Sequence, residues 1–257
     1  MYKVAVLLAL VAITNAFPRI PTVDSRIGIN DNWRVVGGSD AGIGQYPFIV
    51  SLRSSANSHF CGATIINTGN LLTAAHCIVS RSTANTFVVA GTNTLNSGGI
   101  TYSTSRLMVH GNYNSDTFAN DVAVIKLASP LSLSSTVARV GLNTATTGAV
   151  ASIIIGWGRT TANGATPNNL QHLNANTITH AQCQTSWGSS VTDSQICTLS
   201  TVGKGACNGD SGGPLVRNDN KAQLGIVSLG FSCAEGFPDV FTRVSSYITW
   251  INGAVAS

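Results

Sequence analysis

Charge is what this chain has least of. Only 9% of its 257 residues are charged, and Glu235 is its one glutamate. The net charge is +4 overall and about +2 from Val35 onward, where ten basic residues face eight acidic ones. No basic stripe interleaves with aromatics, so a nucleic-acid partner has no support. From Cys77 through Ser115 there is no acidic residue at all. Calcium takes about six to eight oxygens and favours carboxylates, so no calcium site is expected in that stretch. Asn-x-Ser/Thr triplets are also missing, and N-glycosylation is not expected. Long apolar runs are confined to Val4–Ile13, well short of the ~20 residues that span a bilayer. Neither a membrane partner nor an accessory domain marked by a repeat or linker is expected.

The N-terminus is built differently from the rest. One lysine, the apolar block and then Thr14-Asn15-Ala16 read as a cleaved secretory signal over 1–16, a buried N-terminal helix being the other reading. Residues 17–34 are polar, contain proline and show no periodicity, as a propeptide would. All six cysteines follow this segment, and their even number fits an oxidising, extracellular compartment. Fifteen pairings are open to six cysteines, so the sequence alone does not choose among them. A zinc site is the alternative use of Cys and His together, but no Cys-x-x-Cys spacing exists.

Short β-rich runs recur between turn residues: 48–53, 60–66, 70–75, 86–90, 100–110, 122–127, 151–155, 224–229 and 240–244. One helix is expected, at the C-terminus, capped by Ser245 or Ser246, with Tyr247, Trp250 and Ile251 on one face. The pattern is all-β.

The stretch Gly205-Ala206-Cys207-Asn208-Gly209-Asp210-Ser211-Gly212-Gly213-Pro214-Leu215 carries chemistry. Glycine reaches backbone angles closed to other residues, so a serine among glycines can be presented to a substrate. The amides of Gly209 and Ser211 can then point together at a developing oxyanion. A Gly-rich surface turn is the plainer reading. Serine needs a base, however, and the base an orienting carboxylate. His76 stands in Leu71-Leu72-Thr73-Ala74-Ala75-His76-Cys77, and Asp121 opens Asp121-Val122-Ala123-Val124-Ile125-Lys126-Leu127. His59, His110, His172 and His180 lack such a context and read as surface or strand histidines.

In their order and spacing these motifs resemble the trypsin/chymotrypsin family of serine endopeptidases, from Val35 to about Val255. The resemblance implies two six-stranded antiparallel β-barrels, their halves meeting near 141–148, with the active site between them and a short C-terminal helix. It places a protease domain over 35–257. Ser211 is then the nucleophile, His76 the base and Asp121 its orienting acid, roles taken from the family's template. It implies disulfides Cys61–Cys77, Cys183–Cys197 and Cys207–Cys233. Arg34 before Val35-Val36-Gly37-Gly38 resembles an activation site, whose new Val35 ammonium would pair with Asp210. An activating trypsin-like protease, protein protease inhibitors and protein or peptide substrates are the implied partners; a monomer without a cofactor or metal is expected. The calcium loop of many trypsins should be absent.

Gly205 occupies the floor of the implied primary pocket, Gly230 its mouth and Asp239 its wall, while Ser228 supports Asp121 and substrate pairing. Asp239 read alone is equally a solvated loop acid. Leu229 stands where most relatives have tryptophan. The Gly205/Asp239 combination looks most like arthropod chymotrypsin-like and collagenolytic proteases, and implies cleavage after Phe, Tyr and Leu with secondary cleavage after Arg or Lys. Extracellular digestion is the expected role. A catalytically silent homologue acting as a binding or regulatory protein is the alternative, although such chains usually lose a triad residue.

Overall fold

The structure is a computed structural model that describes residues 35–161, 164–199, 201–230 and 233–257. The expected signal (1–16) and propeptide (17–34, with Arg34) lie outside the described residues.

Strands β2 (Ile49–Arg53), β3 (His59–Asn67), β4 (Asn70–Thr73), β5 (Phe87–Ala90), β6 (Ile100–Val109) and β7 (Ala123–Leu127) close an antiparallel barrel in the order β2-β3-β4-β7-β6-β5. Leu52, Ile65, Leu71, Leu72 and Ile125 fill it without contact with water. A second antiparallel barrel comes from β8 (Ala151–Gly156), β9 (Gln171–Ile178), β10 (Gln195–Thr198), β11 (Pro214–Arg217), β12 (Gln223–Leu229) and β13 (Asp239–Arg243). Its order is β9-β10-β13-β12-β11-β8, closed by β8 against β9, with the two-residue β1 (Ser39–Asp40) added at the edge of β9. Ile154, Leu215, Leu224 and Phe241 form its centre. Closure removes the open strand edges that would otherwise pair with other chains. The chain therefore has the expected all-β fold of two six-stranded barrels.

Among the described residues three short α-helices complete it: α1 (Ala75–Ile78), α2 (His180–Trp187) and α3 (Ile248–Ala256). Tyr247 and Ile251 bury against the first barrel, together with Trp250, so the end of the chain straps one barrel to the other. The expected serine cap is corrected. Ser245 and Ser246 lie in a 3-10 turn over Val244–Ser246, and α3 starts after Tyr247 with no side-chain cap. Helix α2 was not anticipated, because Cys183 is its one buried residue and it lacks an apolar face. Its signal was a capping box: Thr179 Oγ1 accepts from Gln182 N, and Gln182 Oε1 accepts from Thr179 N. His180 therefore begins a helix and is not on a strand.

Disulfides join Cys61 to Cys77, Cys183 to Cys197 and Cys207 to Cys233. The first ties β3 to α1, the helix that carries His76.

Candidate active site

Asp121, just ahead of β7, is wholly buried, and an acid there must have its oxygens satisfied. Its Oδ1 accepts from His76 N at 2.9 Å, and its Oδ2 accepts from His76 Nδ1 at 2.8 Å and from Ser228 Oγ at 2.6 Å. Thr242 Oγ1 donates to its main-chain carbonyl at 2.7 Å. Because a carboxylate only accepts, Nδ1 carries the proton, and the neutral imidazole keeps a lone pair on Nε2. His76 comes from the first barrel and Ser228 from β12 of the second, so the acid is held from both sides. His76 also meets the ring of Phe118 edge-on, 5.7 Å between centroids, and Phe118 holds a left-handed φ of 54°.

Ser211 lines the same cavity as His76. Among the described residues no hydrogen bond closes between Ser211 Oγ and His76 Nε2, a looseness common where no substrate is in place. The serine's loop is fastened across the barrels. Gly62 N donates to Ser211 O at 2.8 Å, and Thr73 Oγ1 donates to Gly62 O at 2.9 Å. Gly212, at φ 75°, is required here: a Cβ would run into Thr73 Oγ1 and the Gly62 carbonyl. Gly209 takes φ 103°, outside the usual range of other residues.

Behind this loop lies Asp210, also wholly buried. Gly158 N donates to Oδ1 at 2.7 Å and Cys207 N to Oδ2 at 2.9 Å. The carboxylate sits against Gly156 and Gly158, where any Cβ would collide with it. Burial pushes its pKa up to about 6, the two amides working against that rise and nearby Asp239 adding to it. Val35 is wholly buried too, its side chain packed with Ile154, Leu215 and Phe241 in the second barrel.

His59 is the residue that sequence reasoning missed. It opens β3, and its Nε2 lies 3.0 Å from the Gly209 carbonyl, while Nδ1 lies 2.9 Å from Ser51 Oγ. A carbonyl only accepts, so Nε2 carries the proton and Ser51 donates to Nδ1. Arg53 Nε in turn donates to Ser51 Oγ at 3.1 Å. Burial pulls the His59 pKa down to about 4, its bond to Gly209 opposing and Arg53 adding to the fall. A polar chain from the first barrel thus ends on the carbonyl of Gly209. No motif surrounds His59, so only the fold could reveal this.

The cavity has a volume of about 840 Å3, and Phe118, Trp187, Val191, Val227 and Leu229 give it an apolar lining. Gly230 lines it as well. Asp239, 4% exposed at the start of β13, is not a solvated loop acid. Its Oδ2 accepts from Ala206 N at 2.8 Å. A Cβ on Gly205 would stand 2.8 Å from that same oxygen, and one on Gly230 would stand 3.4 Å from Oδ1. The Asp239 carboxylate therefore lies in the space between the two glycines. Cys61, His76 and Cys77 also cluster, but the two sulfurs are bonded to each other and neither is a thiolate ligand.

The trypsin family profile matches residues 35–251. Chymotrypsin-2 of Vespa crabro is 45% identical over 221 residues, covering 84% of this chain and 98% of that protein. Trypsin alpha-4 of Lucilia cuprina is 38% identical over the full length of both. Trypsin delta of Drosophila melanogaster is 38% identical over 85% of this chain and 87% of its own. With its two barrels, its His76–Asp121 pair and these relatives, the chain belongs to the trypsin family of serine endopeptidases.

Proposed function

We propose that this chain is a secreted zymogen which, once cut after Arg34, hydrolyses peptide bonds in extracellular protein digestion, as a monomer. Support for the chemistry rests on one observation: the buried Asp121 fixes His76 with its Nε2 lone pair free, in the cavity that Ser211 also lines. Ser211 Oγ attacks the scissile carbonyl carbon and its proton passes to Nε2. The amides of Gly209 and Ser211 hold the oxyanion. The C–N bond then breaks as Nε2 returns the proton to the leaving amine, and water releases the acyl group by the same steps.

Activation follows from Asp210. The amine freed at Val35 supplies the cation that a buried carboxylate needs, and the pair orders the Gly209 loop. An amine of ordinary pKa about 7.7–8.0 gains affinity for its proton from such a partner. Activity is therefore retained at neutral pH and lost as pH rises above the raised value. An activating trypsin-like protease and protein inhibitors are the partners this scheme calls for.

For specificity, the apolar lining favours Phe, Tyr and Leu. Burying an aromatic side chain of about 150–200 Å2 gains several kcal/mol, at ~25 cal/mol per Å2. The Asp239 carboxylate, beside the space above Gly205, provides the secondary cleavage after Arg and Lys. Matched peptides differing only in the residue before the scissile bond test this through kcat/KM. Phenylalanine should lead, and Asp239→Gly should abolish most of the cleavage after arginine. A hundredfold excess of arginine over phenylalanine would sink the assignment. Labelling of Ser211 by a fluorophosphonate only after cleavage at Arg34 separates an active zymogen from a silent homologue.

A further inference from the structure

The second barrel carries another cavity, of about 580 Å3, lined by Asp193 and Ser194, whereas Thr192 and Gln195 of the same turn line the cavity of His76 and Ser211. Thr147, the start of α2 at His180 and the end of β13 at Arg243 border it. Eight buried side-chain polar atoms lack a hydrogen-bond partner among the described residues, and three of them belong to this one cavity: Arg243 Nη1, Thr147 Oγ1 and His180 Nδ1. Buried polar atoms are rarely left unpaired, and their concentration in one place points to a ligand.

Arg243 is 7% exposed and its direction is fixed. Nε donates to Asp193 O and Nη2 to Gln195 O, both at 2.8 Å, which leaves Nη1 as the unused arm of the fork. The titratable groups around the cavity are Arg243, His180 and Asp193. The Asp193 carboxylate is 95% exposed, 3.7 Å from His180 Nε2, so water screens it from the cavity. The buried guanidinium and the start of α2 both favour an anion here. A ring proton on Nε2, the nitrogen 3.7 Å from Asp193 Oδ1, leaves His180 Nδ1 as an acceptor. Two donors and one acceptor together suit an oxyanion that keeps a hydroxyl.

We infer that this cavity binds inorganic phosphate, with Arg243 Nη1 and Thr147 Oγ1 donating to its oxygens and its P–OH donating to His180 Nδ1. Inorganic phosphate keeps such a hydroxyl near neutral pH, whereas a phosphate monoester, with a second pKa of about 6, has lost it. The full chain carrying Ser211→Ala, which cannot cut itself, is the protein to use. Its arginine Nε–Hε resonances are followed by nitrogen-15 NMR while inorganic phosphate replaces chloride at constant ionic strength and pH 7.5. The expected result is a saturable shift of the Arg243 signal. Thr147→Val and His180→Gln, which leave the two carbonyl bonds of Arg243 intact, should each weaken binding about five- to tenfold. Sulfate, which has no hydroxyl at this pH, should bind less tightly than phosphate. Glycerol phosphate, which also has no P–OH at this pH, should bind no more tightly than sulfate, and binding as tight as that of inorganic phosphate would refute the hydroxyl contact to His180. A linear shift without saturation, or variants that titrate like the parent, would overturn the assignment.

Discussion

Asp121 and Asp210 are both wholly buried, yet they are kept in different ways. The carboxylate of Asp121 is contacted by three donors, one of them the imidazole that, on the proposed scheme, becomes a cation when it takes the serine's proton. Asp210 receives two backbone amides, and among the described residues no cation pairs with it. Its pKa stands at about 6, raised chiefly by burial. The contrast is between a carboxylate whose partners all come from the folded barrels and one that has its dipoles but lacks a charge. On the proposed scheme the first is complete before processing and the second is completed by it. Removing either charge should therefore give failures of different kinds.

The largest effect is expected at Asp121. In Asp121→Asn the amide donates to Nδ1 and forces the other tautomer, so Nε2 carries the proton and has no lone pair for Ser211. In the cut enzyme kcat should fall about 10^4-fold with KM little changed, measured on a chromogenic peptide. Asp210→Asn should leave the His76 geometry intact but block the gain on cleavage. With the new Val35 end verified by N-terminal sequencing, activity should remain about 10^2–10^3-fold below the parent. Full activity in that cut variant would dissolve the contrast.

A smaller effect should appear in stability against pH, and it has two opposing parts. Asp210 holds its proton in the uncut folded chain up to about pH 6 but releases it near 3.8 when unfolded. Its contribution to stability is thus lost as pH rises from 4 through 6, by up to about 3 kcal/mol. His59 acts in the other sense. Folded, it stays neutral down to about pH 4, whereas the unfolded ring protonates at 6.5, so its contribution is lost as pH falls between those values. The uncut Ser211→Ala chain should therefore show a shallow profile over pH 4–6 in denaturant titrations. Asp210→Asn should expose the His59 slope, with stability rising steadily with pH. The cut chain should share that rise, because an ammonium at Val35 keeps Asp210 charged. An uncut profile that Asp210→Asn does not alter would break the argument.

The two barrels were not equally legible in the sequence. The strands of the first are apolar runs bounded by turns, and β2, β3 and β5 to β7 lie within two residues of the expected segments. The run expected over 70–75 stops at Thr73 because Ala75 already begins α1. In the second barrel β9, β10 and β11 were not anticipated. Strand β9 alternates polar side chains such as Asn174 and Asn176 toward water, β10 is four residues long, and β11 opens with Pro214, a residue that argues against a central strand. Each is fixed by its neighbours in the closed sheet and not by its own pattern. The site divides in the same manner. His76, Asp121 and Ser211 sit in recognisable motifs, whereas His59 and the burial of Asp239 depend on chain segments far apart in sequence.

His59 offers the finest test of how the Gly209 loop is held. The Gly209 carbonyl it grips belongs to the peptide that leads into Asp210, so the loop is braced by a first-barrel imidazole as well as by the Asp210 carboxylate. His59→Phe keeps a ring against Trp157, whose centroid lies 5.7 Å away, but removes the donor to Gly209 and the acceptor for Ser51. One lost hydrogen bond behind an oxyanion donor should lower kcat about tenfold in the cut enzyme and leave KM nearly unchanged. His59→Gln, which can still donate to the carbonyl, should recover part of that loss. The same substitution to Phe should also remove the acid-side loss of stability assigned to this ring. A fall in KM-dependent binding with kcat intact would place His59 in substrate contact instead. No change in either would mean that the Asp210 carboxylate holds the Gly209 peptide without help from the first barrel.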